Sequence, residues 1–445
     1  YQALYANTTG TNNVANGYNA LFSNTTGANN VANGRDALFS NTTGTGNSAV
    51  GTLAGAALTT GSSNTALGHL ALDGTDDGAG NTAIGKQALS ENCGDNNTAV
   101  GYLAGLNTTA SNNTAVGKAA LTANTTGASN VAVGALALDA NTTASNNTAV
   151  GTSALSANTT GTGNTAVGMS ALLSNTDANA NSALGFGALQ TNTTGAGNSA
   201  FGYSALNVNT TASNNTAVGY ASLGANTTGG QNVALGDNAL GANTTADYNT
   251  AVGTSALLRN TTGTQNVAIG AFTLDTNTTG NYNTALGYQA LRVNTTASSN
   301  TAVGYRSLLA NTTGTENVAV GASALDANTT ASVNTAVGFN AGTTNTTGNL
   351  TAFGGYAAQA QTTGTNTTAL GSFSLYANTT GANNTAVGSA FGATKGVLQD
   401  NTTGGNNTAM GVSALSANTT ADSNSAFGST ALTANTTGYA NTAVG

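Results

Sequence analysis

The sequence lacks proline and tryptophan, and it contains one cysteine, Cys93, and one histidine, His69. A single cysteine cannot form a disulfide within the chain. Charged residues make up only 5% of the 445 residues, and fifteen acidic against seven basic side chains leave a formal net charge of −8. Nucleic acids and anionic lipids are bound by clustered basic side chains, so we expect no nucleic-acid partner. No apolar run approaches the roughly 20 residues that would insert this segment into a membrane.

What the sequence has instead is a polar composition with a regular apolar pattern. It contains 60 glycines, and 39% of its residues are hydrophobic. Disordered chains are also polar and glycine-rich, but they usually carry prolines and charges and have no fixed apolar spacing. Here valine and leucine recur at constant intervals, which indicates an ordered, repetitive fold.

A seventeen-residue unit, N-T-A-V-G-x-x-A-L-x-x-N-T-T-G-x-x, recurs along the whole chain and has 26 starts from Asn13 to Asn441. We number its residues as positions 1 to 17, beginning at the first asparagine. Glycine and alanine alternate at position 15 from Gly127 to Gly263, so a 34-residue unit of two coils is an open alternative. The stretch 389–405 lengthens one unit to 23 residues and predicts a loop inserted into one coil.

The repeat predicts one continuous solenoid over residues 1–445, because the motif resumes in register after each irregularity. The chain starts at position 6 of one unit and stops at position 5 of another, and neither end carries a repeat of different composition. Solenoids usually need atypical terminal repeats, so we expect a fragment, or the ordered part, of a longer protein.

Short β-strands fit this unit better than helices. Helical repeats are about 33 residues or longer, and asparagine, threonine and glycine are poor helix formers. Side chains alternate along a strand, and position 4 is large and apolar in nearly every unit, as at Val150, Leu184, Phe201, Ile269 and Met410. We therefore predict an all-β parallel β-solenoid, or β-roll, of about 26 coils, with position 4 pointing into the coil.

Position 9 is leucine almost throughout, as at Leu155, Leu172, Leu189 and Leu206, and is also expected to face the interior. Positions 4 and 9 differ in parity, so the glycine at position 5 is expected to bend the chain. The N-T-T-G stretch supplies a second corner. Stacked coils would place the asparagines of positions 1 and 12 in amide ladders, and 26 coils would give a rod of roughly 120 Å.

A coil with two large apolar side chains is thin. Their burial contributes only ~3–6 kcal/mol, whereas ordering the backbone costs about 1–2 kcal/mol per residue. The alanines at positions 3 and 8 and the glycine at position 5 are expected to point away from the interior, where small residues let another backbone approach closely. This arrangement favours self-association around a threefold axis, that is, a homotrimer. A monomer whose alanines face water is the alternative.

The strand motifs NTAVG, NSALG, NSAFG and NVAIG resemble the head repeats of trimeric autotransporter adhesins. The full unit, as in NTALGYQALRVNTTASS at 283–299, is also similar to repeats of bacteriophage tail-fibre-like and bacterial surface proteins. The resemblance implies a left-handed parallel β-roll, usually trimeric, that serves as a rigid adhesive head or shaft. The unit here is longer than the usual head repeat, and the sequence shows no coiled-coil stalk heptads.

Few side chains suit catalysis or metal binding. His69 stands at position 6, which holds lysine, threonine, tyrosine or aspartate in other units, so we interpret it as an exposed variant. Cys93 is interpreted as a chance substitution in a divergent repeat. The acidic stretches 72–80 and 90–97 form either a calcium site or a solvated corner. We assign no catalytic, cofactor-binding or metal-ligating residue, and we expect neither enzyme activity nor a cofactor.

Two further features bear on binding. Aromatic side chains recur at position 6, at Tyr18, Tyr102, Phe186, Tyr203, Tyr220, Tyr288, Tyr305 and Phe339. Exposed tyrosines bind sugars or proteins well, and packing against a neighbouring coil or chain is the alternative. The N-T-T and N-N-T stretches are acceptor sequences for N-glycosylation, although the turns need asparagine in any case.

The leading functional hypothesis is a structural or adhesive fibre segment outside a cell or on a virion. Such a rigid rod displays or spaces binding surfaces, with a cell-surface or glycan receptor as an open partner. One alternative is a self-assembling extracellular filament. Another is ice binding, because ranks of threonine and asparagine on a solenoid can match an ice lattice, which is an analogy of fold. The threonine pair at positions 13 and 14 lies at a corner, which argues against ice binding.

Overall fold

The computed structural model describes residues 2–390, 392 and 394–445. The chain divides into two compact units, Tyr1–Ala221 and Ser222–Gly445. Each unit contains 13 β-strands of three or four residues joined by turns, and the described residues form no helix. Every strand begins at or near position 2 of a repeat, so the N-T-A-V motif forms the strands.

The strands of the first unit are β1 (Val14–Asn16), β2 (Val31–Asn33), β3 (Ser48–Val50), β4 (Thr65–Leu67), β5 (Thr82–Ile84), β6 (Thr98–Val100), β7 (Thr114–Val116), β8 (Val131–Val133), β9 (Thr148–Val150), β10 (Thr165–Val167), β11 (Ser182–Leu184), β12 (Ser199–Phe201) and β13 (Thr216–Val218). Those of the second unit are β14 (Val233–Leu235), β15 (Thr250–Val252), β16 (Val267–Ile269), β17 (Thr284–Leu286), β18 (Thr301–Val303), β19 (Val318–Val320), β20 (Thr335–Val337), β21 (Leu350–Phe353), β22 (Thr367–Leu370), β23 (Thr385–Val387), β24 (Thr408–Met410), β25 (Ser425–Phe427) and β26 (Thr442–Val444).

Within each unit, successive strands pair in parallel and in register. In the first unit Thr148 of β9 lies opposite Thr165 of β10, and in the second Thr284 of β17 lies opposite Thr301 of β18. Equivalent residues of neighbouring coils are therefore seventeen positions apart. The predicted parallel β-solenoid is confirmed, and the coil is one seventeen-residue unit rather than 34 residues.

Shorter coils leave the strand register intact. Thr98 lies opposite Thr114, and Thr335 lies opposite Thr351, so one residue is missing from each of these coils. The missing residue falls in the turns, since the strands on both sides keep the same alignment. The turns therefore absorb changes of length that the strands cannot.

The 23-residue coil lies between β23 and β24. Leu398 in this coil is fully buried with a φ of 48°, as at the leucines of position 9, so the regular turn has already resumed there. The extra residues of the predicted 389–405 loop therefore lie in its first half. Phe391 and Ala393 of this loop lie outside the described residues.

Small residues and one leucine fill the interior of each coil. Ala149, Ala154 and Leu155, at positions 3, 8 and 9, have 0% of their surface exposed, and Ala319 and Leu325 are equally buried in the second unit. The inward prediction for position 9 is confirmed, because four of its leucines, Leu155, Leu172, Leu189 and Leu206, are all fully buried.

Position 4 faces outward, so the inward prediction for Val150, Leu184, Phe201, Ile269 and Met410 is wrong. Leu184 is 48% exposed and Phe201 is 38% exposed, whereas the alanine in the middle of each of these two strands is buried. The side chains alternate as predicted, but side-chain volume rather than hydrophobicity decides that position 3 points inward and positions 2 and 4 point outward. Interiors are close-packed, and alanine is the residue that fits opposite the leucine in so narrow a coil.

The predicted interface of small residues is wrong for the same reason. The alanines of positions 3 and 8 lie inside the coil. The glycine of position 5 packs against the next coil, because a Cβ on Gly151 would lie 2.6 Å from the carbonyl oxygen of Gly168. These residues therefore provide no surface for close approach of a second chain, and the apolar column at position 4 faces outward instead.

Left-handed backbone conformations turn the chain between the strands. Gly151 has a φ of 135°, and three non-glycine residues of the same region, Asn146, Ser153 and Leu155, have φ values of 61°, 54° and 55°. Left-handed backbone costs an ordinary residue roughly 1–2 kcal/mol. Burial of Leu155 offsets this cost, and so does its N–H, which donates to the oxygen of Ala171 in the next coil at 2.9 Å.

The asparagines of positions 1 and 12 form the predicted ladders, and nearly all of them are buried. At position 12, Nδ2 of Asn158 donates to Oδ1 of Asn141 at 3.1 Å and to the oxygen of Gly161 at 3.0 Å. At position 1, Nδ2 of Asn147 donates to the same glycine oxygen at 2.9 Å, and its Oδ1 accepts from the N–H of Asn164 at 2.9 Å. Buried polar groups need such partners, so the two corners are held by amides that bond within and between coils.

Candidate functional site: the outward face of the strands

Three columns of side chains form one surface of each unit, which we call the outward face. Positions 2 and 4 belong to the strand and point away from its buried alanine, and position 6 follows the glycine bend. In β9 both Thr148 and Val150 are half-buried, and Tyr203 at position 6 of a later coil is 51% exposed. The outward face therefore repeats a threonine or similar residue, an apolar residue and a variable residue once per coil.

In the first unit, four successive coils carry large exposed apolar side chains at positions 4 and 6 of this face, which we call the apolar patch. It contains six large exposed side chains, Met169 (49% exposed), Leu184 (48%), Phe186 (43%), Phe201 (38%), Tyr203 (51%) and Tyr220 (57%). Positions 2, 4 and 6 of these coils hold no charged residue. If a fully exposed large side chain offers about 200 Å², the six together expose about 600 Å². This area is at the upper end of what monomeric proteins usually expose in one patch.

The aromatic rings of this patch stack on one another. The ring centroids of Phe186 and Tyr203 are 5.1 Å apart, and those of Tyr203 and Tyr220 are 5.4 Å apart, with interplanar angles of 11° and 9°. Both faces of the Tyr203 ring are therefore covered by its neighbours. In the second unit Tyr288 and Tyr305 stack at 5.9 Å. These aromatic side chains of position 6 therefore pack against those of neighbouring coils, which is one of the two interpretations drawn from the sequence.

The isolated nucleophilic and basic groups lie apart from this patch. His69 is exposed at position 6, as predicted. Cys93 is 2% exposed, and its Sγ lies 3.0 Å from Oγ1 of Thr75. Burial raises the pKa of the Cys93 thiol to about 11. A thiol with so high a pKa is almost wholly protonated at neutral pH and is a poor nucleophile.

The acidic corner uses its carboxylates in hydrogen bonds between coils. Oδ1 of Asp73 accepts from Oγ of Ser90 at 2.6 Å, and Oδ1 of Asp95 accepts from the N–H of Ala79 at 2.8 Å. Within the described ranges, no three or more histidine, cysteine, aspartate or glutamate side chains come together as a metal site would require. Asp73 and Asp95 therefore help to hold neighbouring coils together, and the choice between a calcium site and a solvated corner stays a prediction.

Two carboxylates that were not predicted from the sequence are largely buried beside arginines. Asp275 is 6% exposed and lies 3.9 Å from Nε of Arg292, while a carboxylate oxygen of Asp326 lies 3.4 Å from a guanidinium nitrogen of Arg306. Burial raises the pKa of both carboxyls above the ordinary value, although the arginines act in the opposite direction. The sequence contains a signal for the first pair, because Asp275 and Arg292 both stand at position 10 of successive coils.

The fold and the outward face define this chain as a β-solenoid repeat protein. No protein-family model matches the chain, and no curated protein matches it. The resemblance to trimeric adhesin heads, with the handedness that it implies, therefore stays a prediction. In the part of the chain that the structure describes, no helix has the length and apolar character needed to cross a membrane.

Proposed function

We propose that this chain is a structural or adhesive segment of an extracellular fibre on a cell or virion. The observation that supports the proposal best is the outward face, which repeats in every coil on a backbone whose coils are bonded to one another. A typical junction between coils, such as the one around Asn147 and Asn158, combines a strand ladder with amide ladders at two corners. Such a unit holds many copies of one surface in fixed succession, which suits display or spacing. The proposal includes no catalysed reaction, cofactor or nucleic-acid partner.

The partner that we propose for the outward face is a second copy of this chain. The apolar patch exposes about 600 Å², close to the ~800 Å² that each partner contributes to a standard interface. It carries no charge that a second copy would have to desolvate, and its rows recur at the strand spacing, so identical rows interdigitate when two sheets pack face to face. A homotrimer is the assembly that the sequence resemblance implies, with the apolar face rather than the alanines at the contact.

The molar mass in solution tests this proposal. We expect the chain to sediment as more than one copy at micromolar concentration. The double variant Leu184→Asp with Phe201→Asp places two charges on the outward face, and it is expected to reduce the mass to that of one chain. The control is Thr160→Asp with Thr194→Asp, which adds the same charge at an exposed corner and is expected to leave the assembly intact.

Circular dichroism establishes that each variant keeps the wild-type strand content before its mass is interpreted. A wild-type chain with the mass of one copy at all concentrations would contradict self-association. An assembly that survives the outward-face variant would show that the contact lies elsewhere. Electron microscopy of the same samples distinguishes discrete assemblies from the alternative, an indefinite filament.

Ice binding is supported by one feature of the outward face. The threonines of position 2, such as Thr148 and Thr165, face outward on paired strands and form a regular rank beside the position 4 column. Thermal hysteresis at millimolar protein concentration is the test. A freezing point equal to the melting point would remove this candidate, whereas a gap that disappears on substitution of the outward threonines would support it.

A further inference from the structure

The acceptor sequences for N-linked glycosylation, Asn-x-Ser/Thr, fall into two structural classes, with one exception, the half-buried Asn107 at position 11 of a shortened coil. In the larger class the asparagine stands at position 12 and opens the N-T-T turn. In the smaller class it stands directly before position 1, and the threonine of the motif is the first outward residue of the strand. The smaller class has eight members, Asn96, Asn112, Asn146, Asn214, Asn349, Asn366, Asn383 and Asn406. We call these the pre-strand asparagines.

The position 12 asparagines are closed to modification in the folded chain. Those that begin an N-T-T motif between Asn24 and Asn418 at this position have 0% exposed surface. The acceptor atom would be Nδ2, and in Asn158 both hydrogens of Nδ2 are donated, to Asn141 and Gly161. A sugar on this atom would need space inside the coil and would remove at least one bond of the ladder.

The pre-strand asparagines have the opposite environment. All eight are exposed, and the threonine two residues later is half-buried on the outward face. In Asn146 the φ of 61° turns the side chain out at the corner, and the following residue, Asn147, takes the buried place in the ladder. The side chains of Asn96, Asn112, Asn146 and Asn214 make no hydrogen bond within the described part of the chain. An enzyme can therefore reach both the amide and the hydroxyl of the motif.

Sequence alone does not separate the classes. Asn366 begins an Asn-Thr-Thr motif, as the position 12 asparagines do, yet it is exposed with a φ of 52° and its threonine, Thr368, lies in strand β22. The exception arises because Thr367 stands where most coils have the position 1 asparagine. The place in the coil, and not the motif, decides which amide is accessible.

We propose that the pre-strand asparagines are the glycosylation sites of this chain and that the position 12 asparagines are structural. In the transfer, Nδ2 of the asparagine forms a bond to the anomeric carbon of a nucleotide-activated sugar. The bond from that carbon to the diphosphate oxygen breaks, the nucleoside diphosphate leaves, and Nδ2 gives one proton to a base of the transferase. The acceptor motif and the linkage are those of ordinary N-glycans.

Pre-strand asparagines in adjacent coils compete for the space that a glycan occupies. Asn96 and Asn112 lie in adjacent coils, and coils follow one another at about 4.8 Å, which is too close for two bulky glycans. Asn146 and Asn214 have serine, glycine or glutamine at the equivalent place in the coils on either side. We therefore expect these two sites to be modified most completely.

The test uses the full folded chain, a soluble N-glucosyltransferase that acts on Asn-x-Ser/Thr, and UDP-glucose, with sites mapped by mass spectrometry. A proteolysed sample of the same chain, treated identically, shows which motifs the enzyme accepts when no fold protects them. We expect position 12 and pre-strand motifs to be modified in the digest. In the folded chain we expect modification at Asn146 and Asn214 and none at Asn158.

Two variants sharpen the result. Thr148→Val keeps Asn146 and its exposure but removes the motif, and valine already stands at this place in β8 and β14, so the fold is expected to persist while modification of Asn146 ceases. Asn146→Gln is the direct control. Modification of Asn158 in the folded chain at the rate seen in the digest would overturn the proposal. So would an unmodified Asn146 in a folded chain whose digest is modified there.

Discussion

Replacement of a single position 12 amide tests whether the asparagine ladder stabilises the coils. The change is Asn158→Ala, in the middle of a run of buried asparagines in the first unit. It removes the donor to Oδ1 of Asn141, which then lies buried without a partner, and it removes the acceptor at 2.9 Å for Nδ2 of Asn175. Gly161 is affected less, because its oxygen still accepts from Asn147 at 2.9 Å.

The magnitude follows from these losses. One buried acceptor left without a partner costs about 1–3 kcal/mol, and each further hydrogen bond lost costs about 1 kcal/mol. Asn175 keeps its second bond, to the oxygen of Ala178 at 3.1 Å, so its loss is partial. We expect Asn158→Ala to destabilise the surrounding coils by roughly 2–4 kcal/mol.

The matched control is Asn146→Ala, twelve residues earlier at an exposed corner. Alanine already occupies this place with the same left-handed backbone at Ala180, where φ is 57°. Surface substitutions of this kind usually change stability by about 0.5 kcal/mol or less. The two variants therefore remove the same side chain from a buried and from an exposed position.

Native-state hydrogen exchange is the suitable assay, because repeat proteins open coil by coil rather than all at once. The reporter is the N–H of Thr159, which donates to the oxygen of Thr176 at 2.9 Å. We expect its exchange to accelerate about 30- to 900-fold in Asn158→Ala, since each 1.36 kcal/mol is a factor of ten. Equal exchange rates in the two variants would refute the reasoning, because the ladder would then contribute nothing to stability.

The remaining predictions concern other features of the coil. Gly151→Ala is expected to prevent normal stacking of the coils, because its Cβ would lie 2.6 Å from the backbone of the next coil. Gly163→Ala is expected to fold, because a Cβ at that place has no atom within 4 Å. Thermal melting compares the stability of the two variants. The Cys93 thiol, with a pKa of about 11, is expected to react with a thiol reagent only after denaturant is added. Burial raises the pKa of Asp275 and Asp326, so protonation of these carboxyls favours the folded chain. Their contribution to stability is present below the ordinary pKa of 3.8 and is lost as pH rises through the raised pKa values. Asp275→Asn is therefore expected to raise the urea midpoint more at pH 7 than at pH 3.

The features predicted correctly from the sequence are those that the backbone imposes. Glycine at position 5 is required by a φ near 135° and by the close approach of the next coil, and no other residue meets both conditions. Asparagine at positions 1 and 12 supplies both a donor and an acceptor to a buried corner. Such requirements recur in most coils and leave a clear sequence period, so the parallel solenoid and its corners were predictable.

The direction of the strand side chains was not predictable from hydrophobicity. Val150 is more apolar than Ala149, but the interior opposite Leu155 accommodates only the smaller side chain. Between positions 6 and 11, successive side chains do not point to opposite sides as they do in a strand. Left-handed residues alternate with ordinary ones there, and both Ala154 and Leu155 point inward. Volume and backbone conformation decide these positions, and neither can be read from a list of apolar residues.

The pair of Asp275 and Arg292 was missed for a different reason. The two residues are far apart in a linear sequence and become neighbours only when the period is used as a contact map. Once a coil of seventeen residues is accepted, any two residues separated by that number are adjacent. The pair of Asp275 and Arg292 and the stacked rings of the first unit follow from this rule, whereas Asp326 and Arg306 stand twenty residues apart.

In-register pairing also affects how such a gene can change. Every strand pairs only with its equivalents in the coils before and after it. Duplication or loss of 51 nucleotides therefore adds or removes one complete coil and leaves the same kind of pairing between the coils that remain. Unequal recombination between near-identical segments is therefore tolerated at almost any point along the repeats. Within a population, variants that differ in the number of coils are expected to outnumber those that differ in a buried alanine.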